Sequence, residues 1–170
     1  MKKNLTLALF LGIVSALAGL VIGLFNGVTE PIITANAIAA EQANMEKLFP
    51  GGEFSLIDYS DPDKNVLSIY EAKGEGYLVK AQASGYNTST PIIVLIAFDQ
   101  EGKTIGIEAL QQQETNGFGA GCFERDFLDS TYVGRTSTDT IDALSGATKT
   151  SNAMRRILSA AFTAVEEVKD

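Results

Sequence analysis

The chain has 170 residues, enough for one domain with a hydrophobic core. It carries 13 Lys+Arg against 21 Asp+Glu, a formal net charge of -8, which argues against nucleic acid as a partner. There is no histidine, no tryptophan and a single cysteine, Cys122. That excludes Ser-His and Cys-His catalysis, His-ligated zinc or haem, internal disulfides, all-cysteine iron–sulfur clusters and CxxC redox pairs.

Residues 5–25 contain no charge and are mostly apolar. As a helix they would extend about 31 Å, enough to cross a hydrocarbon core of about 30 Å. Lys2 and Lys3 precede this run, and the next basic residue is Lys47. The positive-inside rule therefore keeps the N-terminus in the cytoplasm and sends the remainder outside. Ala16-Leu17-Ala18 has the form of a signal-peptide cleavage site, but the apolar run continues beyond it to Phe25. A retained anchor over residues 1–27 fits that continuation better than cleavage does. Both readings export the rest, whose formal net charge is -10 once the two lysines are set aside. An acidic surface is not drawn to anionic headgroups, so attachment to the membrane falls to the anchor.

Residues 28–50 read as a linking helix. Pro31 suits its first turn, and Ala35, Ile38, Met45, Leu48 and Phe49 fall on one side at helical spacing. Pro50-Gly51-Gly52 ends it, and a turn is expected over residues 58–65. The period then changes to two. Strands are predicted over residues 66–72, 77–83, 91–98 and 104–110, joined by short links, which makes an antiparallel meander. A Gly-rich stretch covers residues 114–121 and a short helix lies near 123–128. A final helix starts at about Ser151, with the stripe Ala153, Ile157, Ala160, Ala161, Ala164, Val165 and Val168. The expected class is α+β: a transmembrane helix, then an exported domain over residues 51–170 with an antiparallel sheet and flanking helices.

Two segments could carry chemistry. Asp142-Ala143-Leu144-Ser145-Gly146-Ala147-Thr148-Lys149-Thr150-Ser151 crowds small and hydroxyl residues at a helix start, where unpaired N–H groups favour a phosphate. On those residues alone, Thr150 or Ser151 as an ordinary N-cap is the simpler reading. The segment is not a Walker A loop, which requires G-x-x-x-x-G-K-[ST]. The second segment is Glu114-Thr115-Asn116-Gly117-Phe118-Gly119-Ala120-Gly121, a loop able to lie against a flat or anionic ligand, with Phe118 to stack or plug. By itself it reads as a surface turn. Cys122 is assigned no role.

Taken together, the two segments carry a family resemblance. Residues 142–148 resemble the flavinylation motif D-x-x-[ST]-G-A-T, and residues 114–119 resemble the E-T-P-G-L-G loop of the same FMN-binding domain, with Asn116 and Phe118 replacing Pro and Leu. With the N-terminal apolar run and Thr29-Glu30-Pro31-Ile32, the chain resembles the G subunits of Rnf-type ion-translocating electron transport complexes. More distantly, it is similar to the C subunit of the sodium-translocating NADH:quinone reductase. The resemblance implies FMN joined by a flavin transferase to Thr148 through a phosphoester. It also implies that Asp142, Ser145, Gly146 and Ala147 form the recognition motif, and that Glu114, Thr115, Gly117 and Gly119 surround the flavin. It implies no metal and no catalytic residue of the chain's own, because the flavin carries the redox chemistry. It further implies an electron relay among the other subunits of a bacterial membrane complex. That complex passes electrons from ferredoxin to NAD and moves Na+ or H+. Two other readings remain: a stand-alone exported flavoprotein reductase or extracellular electron carrier, and a membrane-anchored binding module without cofactor.

Overall fold

In a computed structural model, residues 2–136 and 141–169 are described, the side chain of Lys2 excepted. The chain divides into two units, Met1–Glu41 and Gln42–Asp170.

Helix α1 covers Lys2–Leu48 and so enters both units. Within the first unit its apolar side chains are exposed from Leu5 to Ile38, and it is long and apolar enough to cross a membrane. Such a helix is compatible with a single-pass membrane protein. Pro31 stands inside α1 and not in the first turn of a separate helix, which corrects the expectation. Proline offers no N–H to the Gly27 carbonyl one turn back. Thr29 Oγ1 donates to the Phe25 carbonyl at 2.9 Å and Thr34 Oγ1 to that of Glu30 at 3.0 Å, on either side of the proline.

The second unit is built on five strands: β1 Phe54–Ile57, β2 Val66–Ala72, β3 Gly76–Ala83, β4 Ile92–Asp99 and β5 Thr104–Gln111. Every pairing is antiparallel and the spatial order is the chain order. This is the expected meander, with β1 added at the edge. A 3-10 turn, Gly119–Phe123, leads into α2, Arg125–Tyr132, and the chain closes with α3, Thr148–Lys169. The fold is α+β.

Strand β4 explains the layering. Ile92, Val94, Ile96 and Phe98 alternate with Leu95 and Ala97, and all six are fully buried. Alternate residues of a strand point to opposite faces, so both faces of β4 are covered. The first set clusters with Ala153, Met154, Ile157, Leu158, Ala161 and Phe162 of α3. The second set clusters with Met45 and Phe49 at the end of α1. The Phe98 and Phe162 rings meet edge to face at 5.3 Å, a favoured aromatic geometry. The stripe expected on α3 is thus present but wider, since Met154, Leu158 and Phe162 join it. Of the side expected along α1, Ala35 and Ile38 are exposed in the first unit, while Met45, Leu48 and, just past the helix end, Phe49 pack within the second. Glu108 of β5 fixes this layer electrostatically. Its Oε1 accepts from Lys47 at 2.6 Å and from Arg125 at 2.6 Å, tying β5 to α2 and to the residues just before Phe49.

Candidate functional site: a cleft at the start of helix α3

The site grows from one buried carboxylate. Glu114, 7% exposed, lies three residues past the end of β5, and its carboxylate accepts from the backbone N–H of Tyr86 at 3.1 Å and of Asn87 at 3.1 Å. It also accepts the hydroxyl proton of Thr150 in α3. Three segments distant in sequence therefore meet on one side chain: the β3–β4 loop, the Gly-rich loop and the first turn of α3. Asn87 adds a bond from its Nδ2 to the Gln113 carbonyl at 3.2 Å. Gly119 closes the same knot. A Cβ there would stand 2.4 Å from Thr150 Oγ1 and 2.7 Å from Glu114 Oε2, so only glycine lets the loop pass this close.

The segment before α3 is positioned just as locally. Leu144, Ser145, Gly146 and Ala147 form a type II turn, with the Ala147 N–H donating to the Leu144 carbonyl at 3.0 Å. Gly146 has φ +79°, the value this turn requires at its third residue. Ser151 Oγ accepts from the Leu144 N–H at 3.1 Å and Arg155 holds the Ile141 carbonyl at 2.6 and 2.9 Å, so α3 clamps its own lead-in. The helix begins at Thr148, three residues earlier than expected. Thr150 and Ser151 are accordingly not N-caps; both lie inside α3, and their hydroxyls serve Glu114 and Leu144. The residue preceding the helix is Ala147, which has no side-chain acceptor to offer the first-turn N–H groups.

These segments enclose a cleft of about 420 Å³ lined by Tyr86, Thr115, Phe118, Gly119 and the run Gly146, Ala147, Thr148, Lys149, Thr150. Phe118 and Tyr86 are 61% and 65% exposed, two aromatic surfaces with little to cover them. Phe118 also borders a second cleft, of about 730 Å³, whose lining includes Gly117 and Ser145. The expected residues thus divide. Thr115, Gly119, Gly146, Ala147 and Thr148 line the first cleft, and Gly117 and Ser145 line the second. Glu114 lies behind the wall as a brace, and Asp142 is exposed outside both linings. Lys149 follows Thr148 in the first candidate segment, whereas Tyr86 belongs to no motif and only the fold brings the β3–β4 loop to this helix end. Cys122 is buried with its Sγ 3.7 Å from Ser151 Oγ. Burial pushes its thiol pKa up and the nearby Glu114 charge adds to this, against a smaller opposing effect of the Ser151 hydrogen bond.

The arrangement suits a flavin mononucleotide. The cleft volume lies in the range of small-molecule sites, about 300–1,000 Å³. Aromatic walls offer stacking, and the first-turn N–H groups of α3, which the Ala147 side chain cannot cap, offer a place for phosphate. Residues 85–163 match the family model of the FMN-binding domain, and every residue lining the first cleft falls within that segment. The match supports an FMN-binding flavoprotein domain and a flavin-based role in electron transfer. No curated protein matches the chain.

Proposed function

We propose that the chain is an electron-relay subunit of an Rnf-type membrane complex, carrying FMN joined through its phosphate to Thr148. The observation that carries this reading is the position of Thr148. Its exposed side chain stands in the first turn of α3, borders the aromatic cleft, and completes the D-x-x-S-G-A-T sequence. A phosphodiester on that oxygen carries one negative charge at the positive end of α3, which the helix dipole offsets. When bound, FMN supplies transfer of one or two electrons at a time. The chain's own residues would hold it: Thr148 would tether it, the turn at Gly146 would offer backbone to the phosphate, and Tyr86, Thr115 and Phe118 would offer their surfaces to the ring. Asp142, exposed six residues before the acceptor, serves recognition by the flavin transferase.

Helix α1 in this reading anchors the subunit with Lys2 and Lys3 in the cytoplasm and the flavin domain on the outer face of a bacterial cell membrane. The other subunits of the complex supply the ferredoxin and NAD sites and the path for Na+ or H+.

The test is purification from the native membrane followed by denaturing electrophoresis. A fluorescent band at the mass of this chain, lost in Thr148→Val, together with companions of many membrane spans, is expected. Flavin retained in Thr148→Val overturns the tether. Flavin present without companions favours the stand-alone carrier.

A further inference from the structure

Among the described residues, Lys149 is the one charged side chain in the lining of the first cleft. Its ammonium stands 5.4 Å from the centroid of the Tyr86 ring, within the range of a cation–π contact. Both side chains are exposed, so burial holds neither in place and the contact itself orients them. Successive helical residues project about 100° apart, so Lys149 leaves α3 in a different direction from the neighbouring Thr148. The tether and the cation therefore serve different parts of the cleft. Among the described residues no carboxylate lines the cleft to neutralise the ammonium; Glu114, the acid of the knot, is buried behind the wall and occupied by three donors.

We propose that Lys149, braced on Tyr86, is a positioning residue that sets the redox balance of the flavin in this cleft. The proposal rests on the FMN reading above. Two electrons and one proton convert the neutral flavin ring to its reduced anion. A neighbouring redox protein supplies the electrons in the membrane, and dithionite supplies them in a titration. A fixed positive charge at the cleft wall favours the anion over the neutral ring, because a cation stabilises the more negative of two states nearby. The Tyr86 ring matters because an unrestrained lysine in water would spread its charge over many rotamers and act more weakly.

The experiment uses the full chain, loaded with flavin by a flavin transferase and purified in detergent. Wild type, Lys149→Met, Lys149→Arg and Tyr86→Leu are titrated with dithionite in the presence of mediators. At fixed ambient potential, Lys149→Met is expected to lower the reduced-to-oxidised ratio about tenfold, which is about 30 mV for a two-electron couple. Lys149→Arg should stay near wild type, and Tyr86→Leu should fall between. Equal potentials in wild type and Lys149→Met overturn the proposal while leaving the FMN reading intact. Lys149→Arg behaving like Lys149→Met shows that charge is not the cause and overturns it too. Tyr86→Leu equal to wild type removes the brace. A wild-type chain that takes up no flavin overturns both this proposal and the reading beneath it.

Discussion

The Thr150 hydroxyl donates to the Glu114 carboxylate across a separation of 36 residues, and this bond joins the end of the sheet to the start of the last helix. Neither residue needs to touch a ligand to decide the shape of the cleft. Glu114→Ala strands the N–H groups of Tyr86 and Asn87 as well as the hydroxyl, and leaving such groups unsatisfied costs about 1–3 kcal/mol each when buried. Thr150→Val removes one bond and should cost less, about 1 kcal/mol. A double-mutant cycle read by thermal unfolding should give a coupling energy clearly above zero for this pair. Strict additivity would show that the bond contributes nothing.

Two glycines in the same loop should respond differently. Gly119→Ala forces a methyl group against Thr150 Oγ1 and Glu114 Oε2, so both stability and flavin content should drop. At Gly117 no atom lies within 4 Å of an added Cβ, but φ is +78°. Gly117→Ala should therefore carry only the backbone penalty of about 1–2 kcal/mol and leave the first cleft intact. Unfolding curves and flavin-to-protein ratios of the two variants, measured side by side, check the contrast.

Asp142 is exposed and outside the cleft linings. Surface substitutions of this kind usually alter stability by no more than about 0.5 kcal/mol. Asp142→Asn should accordingly keep its melting temperature while its flavin occupancy falls, because the loss is in loading. Full occupancy at ordinary transferase levels would remove Asp142 from the recognition motif.

Acid should loosen the β1–β2 loop through Asp61. Burial works to raise the pKa of this carboxyl, but it accepts backbone N–H bonds from Val66, Asp63 and Asn65, and together these hold it below its usual value. A folded pKa below the unfolded one gives stability that is present above the unfolded value, about 3.9, and is lost as pH falls through the folded value. In a melting series from neutral pH to pH 3, wild type should lose stability more steeply than Asp61→Asn at the acid end. Parallel curves would rule out this contribution.

How much of this could be read beforehand follows from the range over which each signal acts. Strands β2 to β5 were legible because turns such as Gly74-Glu75-Gly76 bound each run, β3 alternates and β4 is continuously apolar from Ile92 to Phe98. Strand β1 was not, because Phe54–Ile57 is four residues long and takes its identity from pairing with β2. Helix α3 starts earlier than the expected Ser151 because Thr150 and Ser151, which have the form of caps, bond to Glu114 and Leu144 instead. Residues 114–121 and 142–148 stand out by local pattern, whereas the meeting of Tyr86 with Lys149 depends on the fold. Glu114 stands in the Gly-rich loop in sequence, but its oxygens accept from Tyr86, Asn87 and Thr150, partners that no local pattern names.

The meander bears on how the protein comes into being. Each strand pairs with its neighbour in sequence, so the sheet can close hairpin by hairpin with small loop-closure cost, the condition under which folding is fast. The contacts that shape the cleft span much longer stretches: 36 residues for Thr150 and Glu114, and 72 for Arg156 and the Ser84 carbonyl. They can form only after α3 has been synthesised and has docked. A transferase that selects the finished cleft would thus work as a late checkpoint, attaching flavin to chains that have completed their fold and passing over those that have not.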